Sequence, residues 1–159
     1  MRVGRIAEQG AVDAAGLRVA VAWSVFNEQV TAGLRDGAVA WLEGAGLEEV
    51  TVVDVPGAFE LPLVARTLTE HHDAVVALGA VVLGETDHYD HVAHRASEGL
   101  MRVMLDTGVP VAFGVLTVRS ADQALARSAP GPGNKGAEAA EAALRTATLI
   151  RRLRRHPGS

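Results

Sequence analysis

The 159-residue sequence contains no cysteine, which excludes disulfides, thiolate zinc sites and cysteine nucleophiles. Aromatic residues make up only 4% of the chain, so each aromatic residue next to a predicted loop is informative. No apolar run approaches the roughly 20 residues of a membrane span, and residues 1–16 lack the apolar core of a signal peptide. The net charge of −4 gives no general attraction to nucleic acid or anionic membranes. These absences lead us to expect a cytoplasmic protein without nucleic-acid or membrane partners.

The sequence does contain apolar, strand-like runs that alternate with segments of helical spacing, as in an α/β domain. Its 48% hydrophobic and 21% charged residues suit a single globular domain with a substantial core. Continuous apolar runs predict strands at 17–23, 49–55, 74–82 and 109–118. Helical spacing and helix-end signals predict helices at 27–45, 59–70, 88–106, 121–128 and 136–155. The alternation predicts a three-layer αβα sandwich around a parallel sheet over residues 17–155, preceded by an arm at 1–16 with an edge strand at 2–7, and followed by a tail at 156–159.

The junction after the third predicted strand is the most informative segment. There the sequence Gly84-Glu85-Thr86-Asp87-His88 leads into a predicted helix. Ligands of open α/β sheets bind where strands end and helices begin, because backbone N–H groups and the positive end of the helix dipole converge there. Histidine exchanges protons near neutral pH. The junction therefore predicts a site for a polar or anionic small molecule, with a proton-transfer group at its rim.

Other segments are predicted to share this rim, because right-handed crossovers put the carboxyl ends of parallel strands on one side. Phe26 directly follows a strand, where a flat aromatic side chain can stack on a heteroaromatic ring. Glu60 follows the strand that ends at residue 55, and two interpretations stay open for it. Its carboxylate either interacts with the dipole of the next helix or accepts hydrogen bonds from ligand hydroxyls.

A metal site is the alternative raised by His88, His91 and His94, which recur every three residues. On a helix, residues 88 and 91 share a face, whereas residue 94 lies well off it. No distant histidine or cysteine group supplies the three or four converging ligands that zinc requires. We therefore expect no metal site and interpret His91 and His94 as solvated, while His88 differs because it lies at the junction itself.

The segment Gly131-Pro132-Gly133-Asn134-Lys135-Gly136 literally fits the dinucleotide fingerprint Gly-x-Gly-x-x-Gly. No predicted strand leads directly into it, and arginines rather than an acid follow about 20 residues on. A kinked helix start is the simpler interpretation. The alternative is that Lys135 and nearby N–H groups hold an anion, with Arg127 as a bidentate phosphate clamp. The arginines at 151–155 are interpreted as complementing the C-terminal end of the last helix.

Over about residues 17–153 the sequence resembles the 6,7-dimethyl-8-ribityllumazine synthase family. The resemblance is carried by many ordered segments, among them Phe26-Asn27, Val55-Pro56-Gly57-Ala58-Phe59-Glu60-Leu61-Pro62, Gly84-Glu85-Thr86, His88-Tyr89-Asp90, Phe113-Gly114-Val115-Leu116-Thr117, Arg127 and Gly133-Asn134-Lys135-Gly136. It implies a flavodoxin-like fold with a four-stranded parallel sheet. It also implies a transferase of riboflavin biosynthesis, which condenses 5-amino-6-(D-ribitylamino)uracil with 3,4-dihydroxy-2-butanone 4-phosphate and releases phosphate and water. No metal or redox cofactor is implied.

The resemblance also implies a role for individual residues. His88 would transfer protons, and Arg127 would hold the phosphate together with Glu85 and Thr86. The other substrate-binding positions that it implies are Phe26, Asn27, Ala58, Phe59, Glu60, Ala80, Val81, Val82, Phe113 and Lys135. Phe113, Arg127 and Lys135 would come from a neighbouring subunit of a homopentamer, which can assemble further into a 60-subunit icosahedral shell, and the N-terminal arm would add to a neighbour.

Several positions depart from the family's usual pattern, among them Val25, His91 and Ala126, and two departures bear on the phosphate site. Leu83 replaces a basic residue, and Asp87 replaces proline, threonine or serine, so both make the phosphate site less positive. They keep open an alternative function, that of a paralogue with weak or altered activity that binds a flavin-like ligand or serves as a shell scaffold.

Overall fold

The computed structural model describes residues 12–84 and 88–155, in which strands and helices alternate. The strands are β1 (Val19–Ser24), β2 (Val50–Val55), β3 (Ala74–Val82) and β4 (Val111–Val118). The helices are α1 (Glu28–Gly44), α2 (Leu61–Leu68), α3 (His88–Thr107), α4 (Ala121–Ser128) and α5 (Lys135–Arg155), and a single 3-10 turn at Ala58–Glu60 precedes α2. Among these described helices, none combines the length and apolar character needed to cross a bilayer.

The four strands form one parallel sheet in the order β2-β1-β3-β4. The central strand β1 is buried along its whole length, and β3 is buried up to its last residue, as their continuous apolar sequences require. Helices α1, α4 and α5 cover one face of the sheet, and the 3-10 turn, α2 and α3 cover the other. The predicted three-layer αβα sandwich with a parallel four-stranded sheet is confirmed.

The predicted elements differ from the observed ones at a few ends. The helix predicted at 59–70 is divided into the 3-10 turn and α2, which has a proline in its first turn, where the missing N–H has no helical partner to lose. Strand β4 begins two residues later than predicted, because Gly108 adopts a positive φ of 71° and Pro110 has no N–H to donate. The edge strand predicted at 2–7 and the tail at 156–159 lie outside the described residues.

Helix α5 packs against α1 with almost no space between the two backbones. A Cβ atom added to Gly136 would overlap the backbone carbonyl of Leu34, which is fully buried. Glycine at 136 is therefore required by the close approach, and the segment that resembles a nucleotide fingerprint owes this glycine to helix packing.

The arginines near the C-terminal end of α5 hold other parts of the chain. Arg151 donates to the carbonyls of Asp13 at 2.7 Å and Ala15 at 2.6 Å, and it pairs with the Asp13 carboxylate at 3.4 Å. Arg154 donates to the carbonyl of Gly108 at 3.2 Å. The interpretation that these arginines only complement the helix end is therefore wrong for Arg151 and Arg154, which fasten residues 13–15 and the turn after α3 to α5.

Candidate active site

The turn between β1 and α1 holds Phe26 out into solvent, with 69% of its surface exposed. The next residue, Asn27, adopts a left-handed backbone conformation with φ 63°, which asparagine tolerates better than most residues. The Asn27 side-chain amide donates to the carbonyl of Ala80 at 3.0 Å. The backbone carbonyl of Asn27 accepts from the N–H of Val30 at 2.9 Å. Asn27 thus fastens the turn to the end of β3 and fixes the place of Phe26.

The turn after β2 lies beside this one. The N–H of Val25 donates to Val55 at 2.8 Å, and the N–H of Phe26 donates to Pro56 at 3.3 Å. Within the following 3-10 turn, Ala58 is buried, whereas Phe59 is 61% exposed and Glu60 is also exposed. The structure therefore brings Phe26 together with the segment Ala58–Glu60, as their shared position at strand ends predicts.

The end of β3 completes this group of residues. Ala80 and Val81 are buried and Val82 is half-buried, and the N–H of Leu83 donates to the carbonyl of Val118 at 2.9 Å. His88 is exposed and opens α3. Glu85, Thr86 and Asp87 lie outside the described residues. We call Phe26, Asn27, Ala58–Glu60, Ala80, Val81, Val82 and His88 the rim group.

Phe113 and Lys135 lie elsewhere, in a depression of about 230 Å³ along the outer edge of the sheet. Phe113 is 49% exposed, and its partner across the sheet is Ala77, which in turn pairs with Ala22. Phe26 is four residues further along the chain than Ala22. At about 4.8 Å per strand, Phe113 lies roughly 10 Å from Ala22 across the sheet, and Phe26 lies beyond the end of β1, in the turn that leads into α1. Phe113 and Lys135, which we call the edge group, thus line a depression to which no residue of the rim group contributes.

The segment after β4 carries both cations that the sequence singles out. Arg127 is half-buried in the last turn of α4, where its Nη1 donates to the carbonyl of Gln123 at 3.1 Å. Lys135 opens α5, and its Nζ lies 2.9 Å from the carboxylate of Glu138. Arg127 and Lys135 stand at the two ends of the break between these helices.

Comparison with known proteins identifies the family. Residues 16–151 match the family model described as 6,7-dimethyl-8-ribityllumazine synthase. Curated proteins of that name from Salinibacter ruber and Mycolicibacterium vanbaalenii are 51% identical over 142 residues and 47% identical over 150 residues. These alignments cover 87% and 93% of this chain, and 91% and 96% of the relatives. The chain belongs to the 6,7-dimethyl-8-ribityllumazine synthase family.

A third relative of the same name, from Mycobacteroides abscessus, is 49% identical over 144 residues, which are 89% of this chain and 90% of that protein. Each of the three alignments covers at least nine-tenths of its relative, so the resemblance extends over the whole lumazine synthase domain. The family assignment made from the ordered segments of the sequence is confirmed.

Asn134, directly before Lys135, is a buried residue to which the sequence alone assigned no role. It is only 3% exposed, and its side chain caps α5 by accepting from the N–H of Ala137 at 3.0 Å. An asparagine directly before a helical run is a capping signal that the sequence does show. The segment around Asn134 also fits a nucleotide fingerprint, and that second pattern obscured the capping signal.

Ser24 lies beneath the rim group and is 99% buried, with a relative exposure of 1%. Its hydroxyl has no hydrogen-bond partner among the described residues, and it lies 3.0 Å from where a Cβ atom on Gly79 would be. The same position on Gly79 is 3.5 Å from the Cβ atom of Ala58. A buried hydroxyl without a partner costs free energy, so Ser24 does not stabilise this fold through its polar atom.

Ser24→Ala is therefore expected to leave the free energy of unfolding unchanged or to raise it by about 1 kcal/mol, because it removes an unpaired buried hydroxyl. Urea denaturation of the two proteins measures the difference. Ser24→Val is the matched control, since it adds volume in a packed site and should destabilise the protein. A loss above about 1 kcal/mol in Ser24→Ala would show that the hydroxyl makes a hydrogen bond in solution.

Proposed function

We propose that this protein condenses 5-amino-6-(D-ribitylamino)uracil with 3,4-dihydroxy-2-butanone 4-phosphate to 6,7-dimethyl-8-ribityllumazine, with release of phosphate and water, in riboflavin biosynthesis. Family membership supports this activity. The observation in the structure that carries it is the exposure of all three phenylalanines of the chain, by 69%, 61% and 49%. Phenylalanine is among the residues most often buried, so three exposed rings at three predicted binding positions favour contact with a ring ligand or a second chain.

In the rim group, Phe26 stacks on the pyrimidine ring, while Ala58, Phe59 and Glu60 bind the ribityl chain. Backbone groups of Ala80, Val81 and Val82 bind the edge of the pyrimidine. The carbonyl of Ala80 already accepts from Asn27, so Asn27 orients this part of the site as well as contacting the substrate. Buried strand ends suit this task, because backbone groups held in a sheet cannot move away from a ligand.

The reaction requires proton transfers but no strong nucleophile. The 5-amino group of the pyrimidine attacks the ketone, and water leaves as the imine forms. Phosphate is then eliminated, and the ribitylamino nitrogen attacks the remaining carbonyl with loss of a second water, which closes the ring. His88, exposed at the start of α3, moves the protons. Much of the remaining acceleration comes from holding two substrates in contact, for which a stacking ring and an anion site are sufficient. No metal or redox cofactor takes part in this proposal.

The edge group serves the site of a neighbouring subunit. Phe113 and Lys135 line one depression beside β4, and Phe26, two strands away at the end of β1, does not line it. Arg127 and Lys135 supply positive charge to the phosphate, which Glu85 and Thr86 of the other subunit also hold at the start of their helix. We propose a homopentamer, with further assembly into a 60-subunit shell as the larger form, and an N-terminal arm at 1–16 that adds to a neighbour.

The paralogue alternative is less well supported. Identities of 47–51% to proteins named as the synthase favour the enzyme over a scaffold or a flavin-like ligand binder. Leu83 is 50% exposed at the end of β3, where it contributes no charge. We propose that the enzyme works in the cytoplasm on its two small-molecule substrates.

The direct test mixes both substrates with the purified protein and follows the fluorescence of the lumazine product. We expect turnover well above the spontaneous reaction. A rate equal to that without protein would reject the enzyme and favour the paralogue. Native mass spectrometry of the same sample tests the assembly, for which a mass of five chains or a multiple of it is expected.

A further inference from the structure

We propose that Asn134 is a positioning residue that fixes Arg127 and Lys135 relative to each other, and so sets the affinity of the site for the phosphate-bearing substrate. The inference rests on the proposed function for the role of the two cations. It goes beyond that function by assigning the placement of both cations to one buried amide group, whose hydrogen bonds are to backbone groups and to neither cationic side chain.

The Asn134 side chain joins three helices. Its Nδ2 donates to the carbonyl of Gly33 in α1 at 3.1 Å, and to the carbonyls of Ser128 and Ala129 at the end of α4 at 3.1 and 3.0 Å. Its Oδ1 accepts from the N–H of Ala137 at the start of α5 at 3.0 Å. Both N–H donors and the acceptor of the amide are thus used, in a position that is 3% exposed.

Helix α1 is shaped to receive this amide. A Cβ atom on Gly37 would overlap the Asn134 amide group, and a Cβ atom on Gly33 would overlap the carbonyl of Ser128. Because both positions are glycine, the amide and the end of α4 rest directly on the α1 backbone. We call Asn134, Gly33 and Gly37 the amide clamp.

The two cations are adjacent in sequence to the parts that the clamp holds. Arg127 directly precedes Ser128, whose carbonyl Asn134 binds, and Lys135 directly follows Asn134. Between them, residues 129–133 are exposed and contain Gly131 and Gly133 at φ values of 99° and 87°. The loop belongs to no helix or strand, and Pro130 and Pro132 restrict its backbone. The buried amide bonds the two helix ends to each other and to α1.

The clamp can be released from either side. Asn134→Ser introduces a hydroxyl that can cap α5 but cannot reach three carbonyls. Gly37→Ala keeps the asparagine in the sequence, but its added methyl displaces the Asn134 amide group. Gly44→Ala is the matched control, since it lies in the same helix as Gly37 and no atom lies within 4 Å of its added Cβ. For each protein, steady-state kinetics give kcat and a separate KM for each substrate, and calorimetry gives the Kd of inorganic phosphate.

In both clamp variants we expect the KM of the butanone phosphate and the Kd of inorganic phosphate to rise about 10-fold or more, since small displacements of positioned groups have effects of this size. The KM of the pyrimidine should change less than about 3-fold, and Gly44→Ala should match the wild type. Equal rises in both KM values, or no rise in a folded variant, would overturn the proposal. If circular dichroism shows that neither clamp variant folds, Asn134 is a stability element and the proposal is equally overturned.

Failure of the proposed function would look different. The wild type and Gly44→Ala would then both lack turnover, whereas failure of the clamp leaves both active. Phosphate binding is measured without catalysis, so its comparison between Asn134→Ser and Gly44→Ala still decides whether the clamp positions the cations.

Discussion

His88→Ala is expected to lower kcat about 100-fold, because a positioned acid–base group contributes at least that much to reactions limited by proton transfer. His88 is exposed at the first residue of α3, so its loss should leave the fold intact. The KM values of both substrates should change little, since the imidazole moves protons and does not supply most of the binding. The initial rate of lumazine formation at saturating substrates measures the effect.

His91→Ala and His94→Ala are the matched controls. Both side chains are exposed on the same helix and outside the rim group, so each variant should keep the wild-type rate. If His88→Ala were as fast as these two, His88 would have no part in proton transfer. Equal slowing of all three would point instead to a general effect of α3.

Gly136→Ala is expected to reduce the free energy of unfolding by more than about 3 kcal/mol, at the upper end of overpacking effects. The added methyl would overlap the backbone carbonyl of Leu34, so relief requires a shift of α5 or α1 rather than a side-chain rotation. Guanidinium denaturation followed by circular dichroism measures the loss.

Gly44→Ala, in open space at the end of α1, is the control and should stay within about 1 kcal/mol of the wild type. A loss below about 1 kcal/mol in Gly136→Ala would mean that the two helices can separate at little cost, and that their approach does not depend on glycine.

The layers and the rim group were predictable because local patterns determine them. The continuous apolar runs of β1 and β3 identify central strands of a parallel sheet, and parallel strands place their carboxyl ends at one edge. Phe26 and Ala58–Glu60 are neighbours for this reason alone. The beginning of the second helix was less predictable, because a 3-10 turn and an α-helix share nearly the same sequence preferences.

The edge group and the amide clamp were not predictable in the same way. Phe113 and Lys135 lie apart from the rim within one chain, so no pattern in a single chain shows what they face. Asn134 donates to the carbonyl of Gly33, 101 residues away in the sequence. Its capping role comes from a segment whose glycines also fit the dinucleotide fingerprint. Contacts between distant segments depend on how helices pack, which short-range spacing does not encode.

The two tryptophans give the protein an optical signal from the side of the sheet on which Arg151 bonds to residues 13 and 15. The guanidinium carbon of Arg35 lies 4.5 Å from the centre of the Trp23 ring in β1, and Trp41 lies in α1. Both tryptophans pack on the sheet face that α1 and α5 cover. Ala58–Glu60 and His88 belong to the opposite layer. Tryptophan emission should therefore report unfolding of the domain, while the fluorescence of the lumazine product reports catalysis. A single cuvette can follow both signals at once, and each variant's stability and turnover can be separated in one titration.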